Sequence, residues 1–322
     1  MSDIIAKERN NNPTPFGKYG KLHVEGGKLK GEKGEDVQLR GISTHNLSNY
    51  PQYVSEETLT TLVDEWGISV FRLAMYCGEA DGFDGYATGD DVHRLELEAL
   101  IVKAVKAAAK LGIYVLVDWH VLLEQDPNLH KDAAIRFFDK ICGLLKDYDN
   151  VIYEICNEPN GDHVTWPVIC VYANQVIPVI RAKVPDSVIL VGTPCWSQQV
   201  DKAEAAPLPY PNLMYVLHFY ADTHRDELRN VLEEAAKAGL PLFVSEFGCC
   251  NAAGDGEDNK EEADKWIALL NKYGISFIAW NLSNKNEASA FILPDCEKIS
   301  GWKDDELNGC AKLVRGYLKS MN

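Results

Sequence analysis

Several absences in these 322 residues narrow the field before any motif is read. No apolar run approaches the ~20 residues that a membrane-spanning helix needs, and Met1 to Asn12 is polar where a secretory leader would be apolar, so neither span nor leader is expected. Positive charge is scarce, with 32 Lys and Arg against 48 Asp and Glu and a formal charge of −16. Phosphodiesters and anionic lipid surfaces would be repelled, and neither nucleic acid nor a membrane is an expected partner. The nine cysteines form no CxxC and no Cys/His spacing, so no zinc site is expected; most read as small buried apolar side chains, with any disulfide pairing left open. GISTHN, after the first apolar run, lacks GxGxxG and a following ribose-binding acid, which disfavours a dinucleotide fold. AAGDGEDNK offers Asp255, Glu257 and Asp258 to a calcium ion but lacks the EF-hand spacing, and reads as a solvated acidic loop. Neither a metal nor an organic cofactor is expected.

What is present is a repeating plan: a short apolar run with a polar or aromatic end, a loop, an amphipathic helix, a glycine and the next run. The runs cover 37–44, 70–75, 113–120, 151–158, 187–193, 213–220, 240–248 and 276–283, and eight of them suit a closed parallel sheet. Leu97, Ile101, Ala104, Val105 and Ala108 share one helix face before Gly112. Leu228 to Ala235 before Gly239 and Ala263 to Leu270 before Gly274 repeat the arrangement. Trp166-Pro167 opens another helix, proline being well placed in a first turn. The length suits one large domain. Residues 1–15 have the composition of a flexible segment or linker, and 16–322 read as a single α/β domain, a (β/α)8 barrel. KLHVEGGKLKGEKGEDVQLRG (21–41) reads as a small N-terminal β-hairpin closing the barrel bottom.

The ends of the runs carry unusual side chains: Arg72, His120, Glu158, His218, Tyr220, Glu246 and Trp280. Strands buried on both faces should not hold charges without partners, but groups facing one another across a barrel mouth can partner each other. Enzymes of this architecture keep their chemistry at that mouth. Two carboxyl groups, Glu158 from run four and Glu246 from run seven, suggest glycoside hydrolysis, which in its retaining form needs them about 5 Å apart. Arg72 beside Glu246 would keep the latter ionised, while Glu158, poorer in cations, would stay protonated longer.

VIYEICNEPNG and LFVSEFG, so spaced, resemble the acid/base and nucleophile signatures of glycoside hydrolase family 5. RGISTHNL, FRLAMY, VDWH, GTPCWSQ, LHFYADTH and NLSNKNEASA are similar to segments of its bacterial endo-β-1,4-glucanase subfamily. The resemblance runs from about Phe16 to the C-terminus. It implies Glu158 as general acid/base and Glu246 as nucleophile, with Asn157 bonding the sugar 2-hydroxyl. It implies Arg72, His120, His218 and Tyr220 as a polar ring, the tyrosine hydroxyl bonding Glu246, and Trp280 as an aromatic floor under the reacting glucose. His45, Lys285 and Glu287 match residues that hold more distant glucoses, and Trp196 an aromatic wall on the leaving-group side; Tyr76 either joins them or packs the rim. Two departures stand out. Asn49-Tyr50 follows where the family usually has an aromatic platform, which puts the distal stacking site in question, and Phe247 replaces a common tryptophan. The remaining histidines, His23, His93, His130, His163 and His224, read as surface or capping residues.

The resemblance implies a retaining endo-β-1,4-glucanase acting on cellulose-like chains, working as a monomer and secreted. Other β-1,4 backbones (mannan, xylan, mixed-linkage glucan or xyloglucan) stay open as substrates, as does a carbohydrate-binding barrel that does not cut. A barrel acting on phosphorylated metabolites would need a basic or Gly-rich phosphate site that the chain lacks.

Overall fold

A computed structural model describes residues 4–319. Eight parallel strands close into a barrel: β1 (Arg40–Thr44), β2 (Val70–Tyr76), β3 (Tyr114–His120), β4 (Val151–Glu154), β5 (Ile189–Val191), β6 (Leu213–Tyr220), β7 (Leu242–Gly248) and β8 (Ser276–Leu282). Helices follow them in alternation: α1 (Glu56–Thr61), α2 (Asp91–Leu111), α3 (Lys131–Leu145), α4 (Trp166–Lys183), α5 (Val200–Ala205), α6 (Asp226–Lys237), α7 (Lys260–Tyr273) and α8 (Gly309–Lys319). This is the expected (β/α)8 architecture, with β4 and β5 shorter than the apolar runs that announced them. The apolar run ends where the chain leaves the sheet, so Glu158 sits on the loop after β4 rather than in it.

Helix ends follow local chemistry. The Asp90 side chain accepts from the His93 amide and starts α2, and Gly112, at φ +68°, stops it where a left-handed residue is required. Thr165 precedes α4, with proline in its first turn as the Trp166-Pro167 pair implies.

The period-two rule of strands sorts side chains into layers. On β2, Phe71, Leu73 and Met75 pack in the large cluster shared with the helices, whereas Val70 belongs to the barrel interior and Ala74 and Tyr76 to a small cluster at the mouth. Arg72 lies on that same inward parity. At the bottom, Leu29 of the N-terminal hairpin (His23–Glu25 with Lys28–Lys30) and the flanking Leu22 and Val37 join Tyr114, Ile152 and Met214 in one core. Gly26 and Gly27, at φ +58° and +74°, supply the paired left-handed residues that a two-residue hairpin turn demands.

The linker-like reading of 1–15 does not hold from Ile5 onward. Ile5 is buried, the Ala6 amide donates to the Ala109 carbonyl, and Thr14 caps a short helix, Pro15–Tyr19, that buries Phe16 against Tyr114.

Candidate active site

The mouth is built where regular strand pairing breaks. Register shifts occur in β6–β7 between Val216 and His218, in β7–β8 between Val244 and Phe247, and in β8–β1 between Ala279 and Leu282. A bulge re-aims side chains. On β7 it lets the consecutive Ser245 and Glu246 both bond to interior groups: Ser245 Oγ donates to Glu154, and Glu246 accepts from Arg72 and Tyr220.

Arg72, with no exposed surface, is the hub. Its Nε donates to Glu154 Oε2 at 2.8 Å and its Nη1 to Glu246 Oε2 at 3.2 Å. Its Nη2 meets Asp118 Oδ2 at 3.0 Å and donates to the side-chain Oδ1 of Asn157 at 2.6 Å. Burial would weaken the guanidinium, but three carboxyl groups around it outweigh that and hold it charged. The same sharing limits what Arg72 does for Glu246. Burial and the charge of Glu158 push Glu246 up to about 7, against His218, Arg72 and the Tyr220 hydroxyl, which pull it down. Burial pushes Glu158 higher, to about 8, with Arg72 opposing and Asp118 and Glu154 adding to the rise. Glu246 is thus less firmly ionised than an exclusive Arg72 pair would make it, but the expected order of the two carboxyls stands.

A carboxylate oxygen of Glu158, one of Glu246 and a ring nitrogen of His218 lie within 4.8 Å of one another. His218 Nδ1 is 2.9 Å from Glu158 Oε1, and the Tyr220 hydroxyl donates to Glu246 Oε1 at 2.8 Å. His120 Nδ1 lies 2.6 Å from Asp118 Oδ2, which fixes its proton there and leaves Nε2 to accept from the Asn157 amide at 3.3 Å. The other Asn157 amide hydrogen goes to the Val121 carbonyl at 3.2 Å. Burial keeps His120 and His218 neutral, the latter lowered to about 4.

Above this layer a cleft of about 640 Å³ takes in eleven of the thirteen residues singled out in the sequence: His45, Tyr76, His120, Glu158, Trp196, His218, Tyr220, Glu246, Trp280, Lys285 and Glu287. Arg72 and Asn157 lie beneath it, fully buried. Tyr76 does more than pack the rim: its ring stacks on His120 at 4.2 Å, and His120 stacks on Trp280 at 5.3 Å. Tyr50 packs its edge on His45 at 5.2 Å and does not line the cleft. Lys285 pairs with Glu287 and with Asp81 from the β2 loop, each at 3.1 Å, so the ion-pair and cleft-lining readings of this pair both hold.

Trp196 is 45% exposed on a turn in which Cys195, Trp196 and Ser197 all have left-handed φ, near +55°. Such strain persists only where surroundings over-determine it. Here the Trp196 amide donates to the Pro159 carbonyl and Ser197 Oγ to that of Asn157, tying the turn to the loop that carries Glu158.

Asp118, Glu154 and Ser245 were missed in the sequence, although Asp118 and Glu154 share the inward parity of His120 and Arg72 and could have been found by it. His224 is a correction: rather than a surface residue, it lines the cleft and its Nδ1 accepts from the Tyr220 amide. Asp258 is half-buried rather than solvated, and burial pushes it up to about 6.

Two buried carboxyl groups this close, in an aromatic cleft at the carboxyl ends of a (β/α)8 barrel, define a glycosidase of the two-carboxylate type. The chain belongs to glycosyl hydrolase family 5, whose cellulase model matches residues 31–286. It is 48% identical over 91% of its length to endoglucanase A of Butyrivibrio fibrisolvens, and 43% identical over 95% to endoglucanase 5 of Pectobacterium carotovorum subsp. carotovorum. It spans 67% and 59% of those two proteins. The catalytic domain of Thermobifida fusca endoglucanase Cel5A superposes with a TM-score of 0.89 at 37% identity, covering 95% of this chain and 100% of that one.

Proposed function

We propose that this chain is a retaining endo-β-1,4-glucanase, with Glu246 as nucleophile and Glu158 as acid/base. The observation that carries the reading is the pair of carboxyl groups with oxygens within 4.8 Å of each other, a proximity that suits the roughly 5 Å pairing of retaining enzymes. Glu246, the lower of the two in pKa and held by Arg72 and Tyr220, attacks the anomeric carbon as Glu158 protonates the departing oxygen. Glu158, now a carboxylate, then takes a proton from water, and the water oxygen displaces Glu246. Both Asn157 amide hydrogens are engaged and its Oδ1 already accepts from Arg72 at 2.6 Å, so a bond to the sugar 2-hydroxyl uses the remaining lone pair of Oδ1. Trp280 supplies the floor and Trp196 the leaving-group wall.

The names of the relatives, and a variant of the Thermobifida fusca domain in complex with cellotetraose, support a β-1,4-glucan as substrate. No described helix is long and apolar enough to cross a membrane. We place the enzyme outside the cell, where a polymeric substrate is met, acting as a monomer built on a single domain. Initial rates on pure cellulose, mannan, xylan and xyloglucan, with product sizes, test the assignment. Fastest release from carboxymethylcellulose, as oligosaccharides of mixed length, is expected; faster release from another backbone would overturn the specificity, and no release from any would leave a binding protein.

A further inference from the structure

A chain of hydrogen bonds runs inward from the proposed acid: Glu158 Oε1 to His218 Nδ1 at 2.9 Å, His218 Nε2 to Ser245 Oγ at 2.9 Å, Ser245 Oγ to Glu154 Oε1, and Arg72 Nε to Glu154 Oε2 at 2.8 Å. The far end has only one sense. Glu154, gripped by the guanidinium, only accepts, so the Ser245 hydroxyl must donate its single hydrogen to it. Ser245 can then only accept from His218, which puts the imidazole hydrogen on Nε2. A neutral ring with Nε2–H presents a bare lone pair at Nδ1, and the contact at 2.9 Å is a hydrogen bond only if Glu158 brings the proton.

We propose that Glu154 and Ser245 are positioning residues that fix the His218 tautomer and thereby hold the catalytic proton on Glu158. The inference rests on the acid/base role assigned to Glu158. When Glu158 Oε1–H is given to the leaving oxygen, the new carboxylate faces the Nδ1 lone pair with no hydrogen between them. No other proton in the chain moves. The unpaired contact makes Glu158 a stronger base toward water in the second step, so one arrangement serves both halves of the reaction. The other charged or titratable groups facing this region are Glu246 on β7, Arg72 and Tyr76 on β2, Asp118 and His120 on β3 and Tyr220 on β6. None of them bonds His218 through Nε2, so none substitutes for Ser245.

The test is Glu154→Gln. Arg72 Nε needs an acceptor, so the amide oxygen takes the Oε2 place and the amide nitrogen faces Ser245. Every donor in the chain then reverses: the amide donates to Ser245, Ser245 to Nε2, and Nδ1–H to an ionised Glu158. The alkaline limb of kcat/KM on cellotetraose should move down by about one pH unit, a tenfold loss above the limb. 2,4-Dinitrophenyl β-cellobioside, whose leaving group departs without a proton, should lose less than about threefold. Ser245→Ala, which changes no charge, should move the alkaline limb the same way, and Ser245→Thr should restore it. Loss of the Glu154 charge would by itself lower the alkaline limb of Glu154→Gln, so Ser245→Ala, which changes no charge, decides: the proposal is overturned if its alkaline limb stays put. Absence of wild-type activity on both substrates would instead defeat the underlying functional assignment.

Discussion

Replacing Arg72 by Met separates the cost of the buried charge cluster from its chemistry. The guanidinium serves Glu154, Asp118, Glu246 and the Asn157 side-chain Oδ1 with no access to water. Breaking a buried ion pair by removing one partner typically costs about 3–5 kcal/mol, because the other charge stays buried and unpaired. Here three carboxyls lose their common partner, so the upper end of that range applies wherever they are ionised. Arg72 pulls down Asp118, Glu154, Glu158 and Glu246, and without it all four rise further above the ordinary carboxyl range. A folded state that holds protons more tightly than the unfolded one loses stability as pH climbs above the unfolded value near 4.5. Thermal melts of Arg72→Met should therefore fall by roughly 5–12 °C at pH 8 and by clearly less at pH 5, with Arg72→Lys between variant and wild type. A loss below about 1 kcal/mol at pH 8, or an equal loss at both pH values, would refute the assignment of Arg72 as the shared counter-charge.

The same linkage predicts the wild type's own behaviour. Asp118 and Glu246, both raised to about 7, and Glu158, raised to about 8, should make Tm fall between pH 5 and 8.5. Glu246→Gln should flatten that fall while losing most turnover on soluble cellulose, and an unchanged slope would mean that Glu246 titrates near its ordinary value. Trp196→Gly should raise stability by about 1 kcal/mol, since glycine tolerates the left-handed turn, while kcat/KM on cellopentaose falls roughly three- to tenfold through lost stacking. Melting curves and oligosaccharide kinetics read both, and a lower Tm would show that the turn is not strained.

The barrel was legible because its strands are buried on both faces, so each announces itself as an apolar run closed by a polar end, and because Gly112 and Gly274 stop helices where the chain must turn left-handed. The carboxyl pair was legible for the same reason: a charge at the end of such a run has nowhere to go but the mouth. Asp118 and Glu154 escaped because the apolar runs that carry them continue to polar ends at His120 and Glu158, and the two acids lie inside those runs on the inward parity. Ser245 could not be placed by parity, since only the bulge on β7 lets it and Glu246 share the interior. The docking of 5–14 depends on Ile5 and Phe16 meeting a surface that does not exist until the barrel closes. Tyr50 and His224 are matters of loop path, which local sequence does not set.

The most direct test of the account is to trap the glycosyl-enzyme. Incubation with 2,4-dinitrophenyl 2-deoxy-2-fluoro-β-cellobioside, followed by peptide mass mapping, should give one adduct per chain, on the Glu246 carboxyl. An adduct on Glu158, or inactivation with no covalent species on β7, would contradict it.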